Sequence, residues 1–269
     1  MAQSAPIDNS QIEALYRGLP CGKLVLKLAS SEEERLEVFK LRYKVFNEEL
    51  GEGLPESQLT GLDQDAFDKY CDHLMVMSGA NVIGTYRLLH GPSRPPAGFY
   101  TETEFQLKGL GLDTSLVVEL GRGCIRSDFR KQTTLISLFW GLHRYMLARR
   151  ARYLMGCASL PVMNHNSAEA SFQELVSLGK VKTMVDVDAL PKNTFSGDAK
   201  EGTSNIPPLV RFYLEFGAMV IGRPAFDPVF KCHDLLMLFD MAHLSTWGTG
   251  LLERFDKRLS QGTTSSQDE

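Results

Sequence analysis

Long apolar runs and paired cysteines are both missing from this sequence of 269 residues. No segment approaches the roughly 20 consecutive apolar residues of a membrane-spanning helix, which predicts a protein that is soluble or only peripheral to a membrane. No two of the five cysteines have Cys-x-x-Cys spacing, so the sequence gives no support to a disulfide framework or a zinc site. Scattered cysteines of this kind favour the reducing cytoplasm.

The sequence also lacks a strong net positive charge, a secretory signal and a metal-binding histidine pair, and each absence excludes a class of function. The net charge is −4, so general binding to nucleic acid is not indicated. The opening sequence MAQSAPIDNSQIE has no basic stretch followed by an apolar run, and it therefore predicts no secretory signal. No histidine pair has metal-ligand spacing, so no metal is predicted. The predicted location is the cytoplasm, and peripheral contact with the inner membrane stays open. Hydrophobic residues make up 43% of the chain, which is enough for a substantial core.

The N-terminal half begins with a strand, a helix and a hairpin. Residues 22–30 alternate like a half-buried strand, and residues 30–50 predict a helix capped by Ser30 or Ser31. Next, HLMVMSGANVIGTYRLL contains two apolar runs around a tight turn, which is typical of a β-hairpin. These elements already indicate a mixture of helices and strands.

The second half predicts a parallel crossover. Residues 116–122 and 153–160 predict strands, and residues 133–150 predict the helix between them. Two strands joined by such a helix run parallel, with a right-handed connection. Residues 186–206 are rich in Gly, Ser, Lys and Asn and predict a mobile loop. The tandem prolines of PPLVRFYLEFGA begin another helix that ends at Gly217, and two more strands follow.

The order of hairpin, parallel crossover and closing strands resembles the Gcn5-related N-acetyltransferase fold. That resemblance implies an α/β protein whose mixed sheet has helices on both faces. We predict an N-terminal segment over residues 1–21, one main domain with a C-terminal extension over residues 22–255, and a disordered tail over residues 256–269. The tail ends in the polar sequence SQGTTSSQDE.

A carboxylate and a row of cations lie where the strand at 116–122 meets the next helix. In acyl transfer from a thioester to an amine, Glu119 or a water that it holds can take the amine's proton. The backbone of Gly121 and Gly123 can receive a pantetheine arm, and a helix N-terminus with cations suits a phosphate. The cations are Arg126, Arg130 and Lys131. A structural ion pair between Glu119 and Arg122 explains the same pattern, so both interpretations stay open.

Four separated motifs resemble those of acyl-homoserine-lactone synthases, which share this fold. They are an Arg-x-x-x-Phe helix motif, an Asp-x-x-Asp pair, an Arg after a Gly-containing strand, and a Glu-x-x-Arg strand motif. In this chain the motif residues are Arg42 and Phe46, Asp65 and Asp68, Arg87, and Glu119 and Arg122. The resemblance implies that the first five bind substrate, with the two aspartates holding the arginines in an ion-pair network.

A closer resemblance covers most of residues 22–245. Stretches such as LRYKVFNEELG, GTYRLLHG and ELGRGCI are similar to the ornithine N-acyltransferases of ornithine-lipid synthesis, often labelled hemolysin-like, and to long-chain N-acyl amino acid synthases. This resemblance implies transfer of a long-chain or 3-hydroxy fatty acyl group from the phosphopantetheine of acyl carrier protein to an amino acid such as ornithine. The product is an N-acyl amino acid of the lyso-ornithine-lipid type. Glu119 then assists deprotonation, and Arg122 and Arg87 organise the site.

The donor is indicated by a departure from ordinary acetyltransferases. The stretch RSDFRKQTTL has no glycine where their pyrophosphate loop is glycine-containing, so backbone approach to coenzyme A is obstructed. Residues 122–152 also hold eight Lys and Arg against one acid, Asp128. Such a patch can steer an acidic carrier protein, although a solvated helix end explains it as well.

Two rival functions remain open: a lactone synthase that uses S-adenosylmethionine, and a non-enzymatic membrane-active protein, as the hemolysin label suggests. The remaining reactive residues are interpreted as structural. We interpret His73 as a satisfied structural histidine and Cys124 as a small core residue. The CHD sequence at 232–234 is too compressed to form a catalytic triad by itself.

Overall fold

The computed structural model describes residues 9–161 and 164–262, and within these ranges the chain forms seven α-helices and twelve strands. The helices are α1 (Asn9–Arg17), α2 (Glu32–Tyr43), α3 (Ser57–Thr60), α4 (Gln132–Ala148), α5 (His165–Ser177), α6 (Pro208–Phe216) and α7 (Thr246–Gly262). The strands are β1 (Leu19–Cys21), β2 (Leu24–Leu28), β3 (Asp72–Ser78), β4 (Asn81–His90), β5 (Phe105–Gln106), β6 (Val117–Ile125), β7 (Tyr153–Leu160), β8 (Val181–Lys182), β9 (Asp188–Ala189), β10 (Met219–Ile221), β11 (Ala225–Asp227) and β12 (Cys232–Asp240).

The chain divides into two compact units. Unit 1 takes in the chain up to Leu88, then Arg122–Ala151, and the chain from Leu252 onward. Unit 2 consists of Leu89–Gly121 and Arg152–Leu251. Strand β6 belongs to unit 2 through Gly121 and to unit 1 from Arg122.

In unit 1 the strand order is β1-β2-β3-β4-β6, and the first four strands are antiparallel neighbours. The predicted hairpin, β3 and β4, is confirmed. Leu26 contacts α4, because a methyl group on Gly141 would lie 2.3 Å from its Cδ2 atom. Met75 packs with Phe39 of α2. Since Met75 pairs with Lys27, the residue after Leu26, the two apolar side chains point to opposite faces. Helices therefore cover both faces, as predicted.

In unit 2 the strand order is β6-β7-β12-β10-β8, with β11 also paired to β12. Strands β6 and β7 are parallel, which confirms the predicted crossover through α4. Strand β12 is antiparallel to both β7 and β10. The sheet is therefore mixed, as the sequence predicts.

Local signals placed the start of α2 and both ends of α6 correctly, whereas the helix predicted over residues 30–50 is α-helical only to Tyr43 and continues as a π-helical turn over Lys44–Glu49. The Ser31 side chain accepts the amide of Glu34 at 3.3 Å, which confirms Ser31 as the cap, and Glu34 reaches back to accept the amide of Ser30, one residue before the cap, at 2.7 Å. Helix α6 begins at Pro208 and ends at Gly217, whose φ of +115° suits a residue without a Cβ atom.

The structure corrects the prediction for the C-terminal tail. Residues 256–262, predicted to be disordered, continue helix α7, while residues 263–269 lie outside the described part of the chain. The reason is tertiary: the Phe255 ring lies 5.7 Å from the Trp140 ring, and Asp256 accepts the Trp140 indole N–H at 2.6 Å. No helix in the described ranges is both long and apolar enough to cross a membrane.

The segment 186–206 also has more structure than the predicted mobile loop. It contributes β9, which pairs with β5, and the buried Asn193, whose side-chain amide donates to the Phe226 carbonyl at 3.0 Å. The Ser204 hydroxyl donates to Glu174 of α5. These contacts fix the segment against the rest of unit 2.

Candidate active site

Glu119 occupies the last paired position between β6 and β7. The parallel register runs from Val117 opposite Tyr153 to Glu119 opposite Met155. Beyond Glu119, the strand contains a left-handed residue, Arg122, with φ of +47°. A residue with a Cβ atom seldom adopts this conformation, and it interrupts the regular pleat of a strand. The candidate site is therefore built at a local break in β6.

The Glu119 carboxylate is buried, with 5% of the residue exposed, and receives donors from one short 3₁₀ turn. The amides of Tyr100 and Thr101 donate to its two oxygens at 2.9 and 2.7 Å, and the Thr101 hydroxyl donates at 2.5 Å. Hydrogen bonds from these groups offset part of the cost of burying a negative charge. The sequence did not point to Thr101.

In unit 1 the predicted pairing of two arginines with the Asp-x-x-Asp motif is present. Arg42, itself fully buried, donates to Asp68 at 2.7 Å. Arg87 donates to Asp65 at 2.6 Å and lies 3.6 Å from Asp68. Burial alone would raise the pKa of Asp68, but the Arg42 and Arg87 guanidinium groups outweigh it and lower that pKa. The network holds α2, the 63–68 loop and β4 together.

Asp63 extends this network, although it is not one of the motif residues that the sequence singled out. Its buried carboxylate accepts hydrogen bonds from Arg42 Nε at 2.8 Å and from two nitrogens of Arg122, Nε and Nη2. The Arg122 guanidinium also lies 4.4 Å from the centre of the Phe46 ring, on the π-helical turn Lys44–Glu49. Burial, and to a smaller extent the neighbouring Arg42, lower the pKa of Arg122.

His73 is structural but is not satisfied, which corrects the prediction. It is buried in unit 1, and neither ring nitrogen has a hydrogen-bond partner among the described residues. Its Nε2 lies 3.9 Å from Asp68, and its ring packs edge-on against Phe39. Burial lowers the pKa of His73 to about 4, so the ring is neutral at physiological pH.

The three cations predicted to receive the donor differ in their contacts. Arg126 forms an ion pair with Asp128, with Nε–Oδ1 at 2.7 Å. Arg130 forms an ion pair with Glu49 and donates to the Ile125 carbonyl at 3.0 Å. Lys131 occupies the N-cap position of α4 and, of the three, is the one without an ion pair in the described part of the chain.

The two glycines predicted at the donor site lie on β6. Gly121 is half-buried in unit 2. Gly123 lies in unit 1, where a methyl group would come within 2.1 Å of the Tyr86 ring. The Tyr86 ring can therefore pack against the backbone of Gly123 because Gly123 has no side chain.

Sequence analysis missed a buried acidic cluster in unit 2, formed by Glu104, Asp227 and Asp234. Each of these residues is at most 4% exposed. One ligand atom each of Glu104, Asp234 and Cys157 lie within 4.8 Å of one another. Burial and the other two carboxylates raise the pKa of Glu104, and burial raises that of Asp234. The one available signal was an acid within the apolar strand CHDLLMLFD.

The remaining cysteines and histidines form no catalytic triad at 232–234. The Cys232 sulfur lies 3.8 Å from Asp234, whereas His233 pairs with His165 at 2.8 Å. Cys124 is buried in the core cluster of unit 1, and burial raises its pKa to about 12, so its interpretation as a core residue is confirmed.

Comparison with known proteins identifies the class. A family model for the acetyltransferase (GNAT) domain matches residues 41–140. The solved structure of BjaI, a coenzyme A-dependent acyl-homoserine lactone synthase, superposes with a TM-score of 0.51 at 14% identity, covering 86% of this chain and 83% of that one. FeeM, an N-acyl amino acid synthase from uncultured soil microbes, gives 0.50 at 14% identity, covering 84% and 97%. The chain has the GNAT fold, as predicted.

Relatives at higher identity narrow the class to a family. The L-ornithine N(alpha)-acyltransferase of Agrobacterium fabrum is 30% identical over 250 residues, covering 83% of each chain. The protein of the same name from Brucella abortus is 28% identical over 248 residues, covering 84% of this chain and 87% of that one. This chain belongs to the L-ornithine N(alpha)-acyltransferase family and is an N-acyltransferase.

Proposed function

We propose that this protein transfers a long-chain fatty acyl group, with or without a 3-hydroxyl, from acyl carrier protein to the α-amine of L-ornithine. The observation that carries the proposal is the similarity, over 83% of the chain, to an enzyme named for this acceptor. In the reaction the amine nitrogen bonds to the thioester carbonyl carbon and the carbon–sulfur bond breaks. The products are an amide, the carrier's phosphopantetheine thiol and one proton.

Glu119 is the residue that we assign to the proton. An ammonium cannot attack a carbonyl, so the amine must lose a proton before or during bond formation. A buried carboxylate at the end of the β6–β7 pairing can take it, directly or through water. The Tyr100 and Thr101 donors hold this carboxylate in one orientation, which supports a positioned base.

The arginine network supplies positioning in this proposal. Arg42, Arg87 and Arg122 are fixed by the three buried or half-buried aspartates of the 63–68 loop. The Phe46 ring packs against the Arg122 guanidinium. We assign these residues to organising the substrate-binding part of unit 1, with Arg122 and Arg87 as the main organisers.

The backbone around the start of α4 supports a carrier-protein donor. The amides of Arg126, Phe129, Arg130 and Lys131 already donate to backbone carbonyls at 2.7 to 3.4 Å. A pyrophosphate needs several such amides at once, whereas the arm of a carrier protein has one phosphate. The exposed Lys131 can form an ion pair with that phosphate. We further propose that the protein acts in the cytoplasm with peripheral contact at the inner membrane, since the long acyl chain of the product partitions into a bilayer.

The test is acyl transfer by the purified protein, with product identified by mass spectrometry. The same acyl group is offered on acyl carrier protein and on coenzyme A, with L-ornithine as acceptor. We expect N-acyl-ornithine and a much higher kcat/KM for the carrier-protein donor. Equal values for the two donors would remove the donor assignment. A lactone formed from S-adenosylmethionine, with no product from ornithine, would favour the rival synthase.

A further inference from the structure

We infer that Glu104 is a positioning residue for the base Glu119. The hydrogen bond between Glu104 and Asp234 fixes the 3₁₀ turn Tyr100–Thr103 to strand β12, and the same turn holds the Glu119 carboxylate. This role rests on the proposed function of Glu119 and adds a residue that acts on the reaction without touching the substrate. All of these residues lie in unit 2.

A single short turn orients Glu119. The backbone amides of Tyr100 and Thr101 donate to its two oxygens at 2.9 and 2.7 Å, and the Thr101 hydroxyl donates at 2.5 Å. A short 3₁₀ turn has few hydrogen bonds of its own, and their geometry is poorer than in an α-helix. The orientation of Glu119 therefore depends on the contacts that anchor this turn.

Glu104 anchors the C-terminal end of the turn, where it is the cap residue. Its backbone amide donates to the Thr101 carbonyl at 3.2 Å, and its own carbonyl accepts the Leu190 amide at 2.7 Å. The residue is buried, with 3% exposed, and one of its carboxyl oxygens lies within 4.8 Å of a carboxyl oxygen of Asp234. The side chain of Glu104 thus joins the turn to β12.

The contact between Glu104 and Asp234 depends on a proton, because two buried carboxylates at this separation repel each other when both are ionised. Burial, together with Asp234 and Asp227, raises the pKa of Glu104 well above that of an ordinary carboxyl group. Glu104 therefore donates a hydrogen bond to Asp234 and accepts one from the phenol of Tyr100. A hydrogen bond from a neutral carboxyl group to an ionised one is of the strong, charge-assisted kind.

The groups that face Glu104 make it the member of the cluster that loses a proton as the pH rises above neutral. They are Tyr100 on the turn, Cys157 on β7, Asp227 at the end of β11, and Cys232 and Asp234 on β12. Burial raises the pKa of the tyrosine and of both cysteines well above its ordinary value, so these three stay neutral.

Ionisation of Glu104 would replace its hydrogen bond to Asp234 by repulsion between two carboxylates. The turn would lose its side-chain anchor, and the donors to Glu119 would shift with it. A displacement of about 1 Å at a positioned catalytic group can reduce the rate about 100-fold. Acyl transfer should therefore be intact while Glu104 holds its proton and should decline as the pH rises through the pKa of Glu104 in the folded protein.

The kinetic experiment compares wild type, Glu104→Ala, Glu104→Gln and the control Glu102→Gln, in single-turnover acyl transfer with saturating donor and L-ornithine. Near neutral pH, Glu104→Gln should stay within about 3-fold of wild type, because its amide can donate to Asp234 and accept from Tyr100. Glu104→Ala should be about 10- to 100-fold slower, with little change in KM for either substrate. Glu102 lies on the same turn but is exposed, so the control should match wild type.

The pH dependence separates positioning from a general structural role. Between about pH 7 and about pH 10, the rate of wild type divided by that of Glu104→Gln should fall by about 5- to 10-fold. The substrate amine and Glu119 titrate in both proteins, so this ratio isolates the proton of Glu104. The ratio of wild type to Glu102→Gln should stay constant.

A second measurement does not depend on acyl transfer. Hydrogen exchange of the Thr101 amide, followed by NMR, reports its hydrogen bond to Glu119. We expect exchange at least about 10-fold faster in Glu104→Ala than in wild type, and exchange close to wild type in Glu104→Gln. If the protein transfers no acyl group, this result still supports the link between Glu104 and Glu119, so the proposed function and the positioning role can fail separately.

Four results would overturn the positioning role. One is a constant ratio of wild type to Glu104→Gln across the pH range, and another is a Glu104→Gln protein as slow as Glu104→Ala, since a charged carboxylate would then be needed. A Glu104→Ala protein with a lower melting temperature but a wild-type rate would show that Glu104 only stabilises the fold. Unchanged exchange of the Thr101 amide in that variant would also exclude the link. If Glu104→Ala does not fold, the pH dependence of Glu104→Gln decides.

Discussion

Arg122 combines a left-handed backbone with a long side chain that is only 11% exposed and is paired with Asp63. Replacement by alanine removes the ion pair with Asp63 and keeps a Cβ atom at φ of +47°. Replacement by glycine removes the same ion pair and relieves the backbone. We expect Arg122→Gly to be more stable than Arg122→Ala by about 1 kcal/mol, measured by urea unfolding. Equal or greater stability of the alanine variant would show that the strand carries no strain there.

Glu119→Gln should affect both catalysis and folding. A positioned base contributes about 10²- to 10⁴-fold to the rate, so single-turnover acyl transfer should fall by that factor. Both oxygens of Glu119 accept backbone amides, those of Tyr100 and Thr101. In the glutamine variant the side-chain NH₂ replaces one of these oxygens and cannot accept a hydrogen bond, so the melting temperature should fall too.

A second variant separates these two effects. Thr101→Val removes one of the hydrogen bonds to Glu119 but keeps the carboxylate. We expect a lower melting temperature with a much smaller loss of rate. A folded Glu119→Gln protein with near wild-type chemistry would contradict the assignment of the base.

At the scale of elements, the start of α4 is where donor steering can be measured. The structure places Arg130 and Arg149 in ion pairs with Glu49 and Asp72, so reversing those arginines would also disturb the fold. Lys131 is exposed and suits a charge reversal. Lys131→Glu should raise KM for the acyl carrier protein donor several-fold at low salt, and the difference should shrink as salt screens the charge.

Lys23→Glu provides the matched control, since Lys23 is an exposed lysine in the turn between β1 and β2. It changes the net charge by the same amount at a different place. A similar rise in KM for both variants would indicate a general charge effect rather than a docking site at α4.

The elements themselves were largely predictable because their signals are local. The capping pair Ser31 and Glu34 and the terminating Gly217 act within a few residues of themselves. The contact partners of the site were harder to predict because they come from distant segments. Glu119 receives its donors from Tyr100 and Thr101, 19 and 18 residues away.

The positions of the buried acidic residues were equally hard to predict from sequence. Asp63 lies two residues before a predicted motif residue, yet its link between Arg42 and Arg122 depends on three segments. Glu104 stands in a polar stretch of sequence, and its burial depends on strands that come much later in the chain. Spacing along the sequence contains no information of this kind.

For the molecule as a whole, Glu104 should make stability depend on pH in the direction opposite to a paired carboxylate. Its pKa is raised in the folded state, through burial and the facing Asp234 and Asp227. Above the ordinary carboxyl pKa of about 4.3, the unfolded chain has lost the proton while the folded protein keeps it. The contribution of Glu104 to the free energy of unfolding is therefore complete below that pH and is lost as the pH rises toward the pKa of Glu104 in the folded protein.

Thermal unfolding of wild type and Glu104→Gln tests this dependence. The melting temperature of Glu104→Gln minus that of the wild type should increase by a few degrees between about pH 5 and about pH 8. Tyr100, Cys157 and Asp234 also face the position and remain in both proteins. The exposed Glu102→Gln variant should give a curve parallel to the wild type. A constant gap for Glu104→Gln would contradict the raised pKa.

The two outermost strands of the fold are very short, and this has a consequence for how the protein behaves when it is concentrated. Strand β1 ends the order in unit 1 and has an exposed Pro20 at its centre; β8 ends the order in unit 2 and has an exposed Lys182. Proline lacks an amide donor, and lysine resists desolvation at a strand edge. Neither margin therefore offers a long template on which another polypeptide could add a strand, so ordered aggregation has few places to nucleate while the fold is intact.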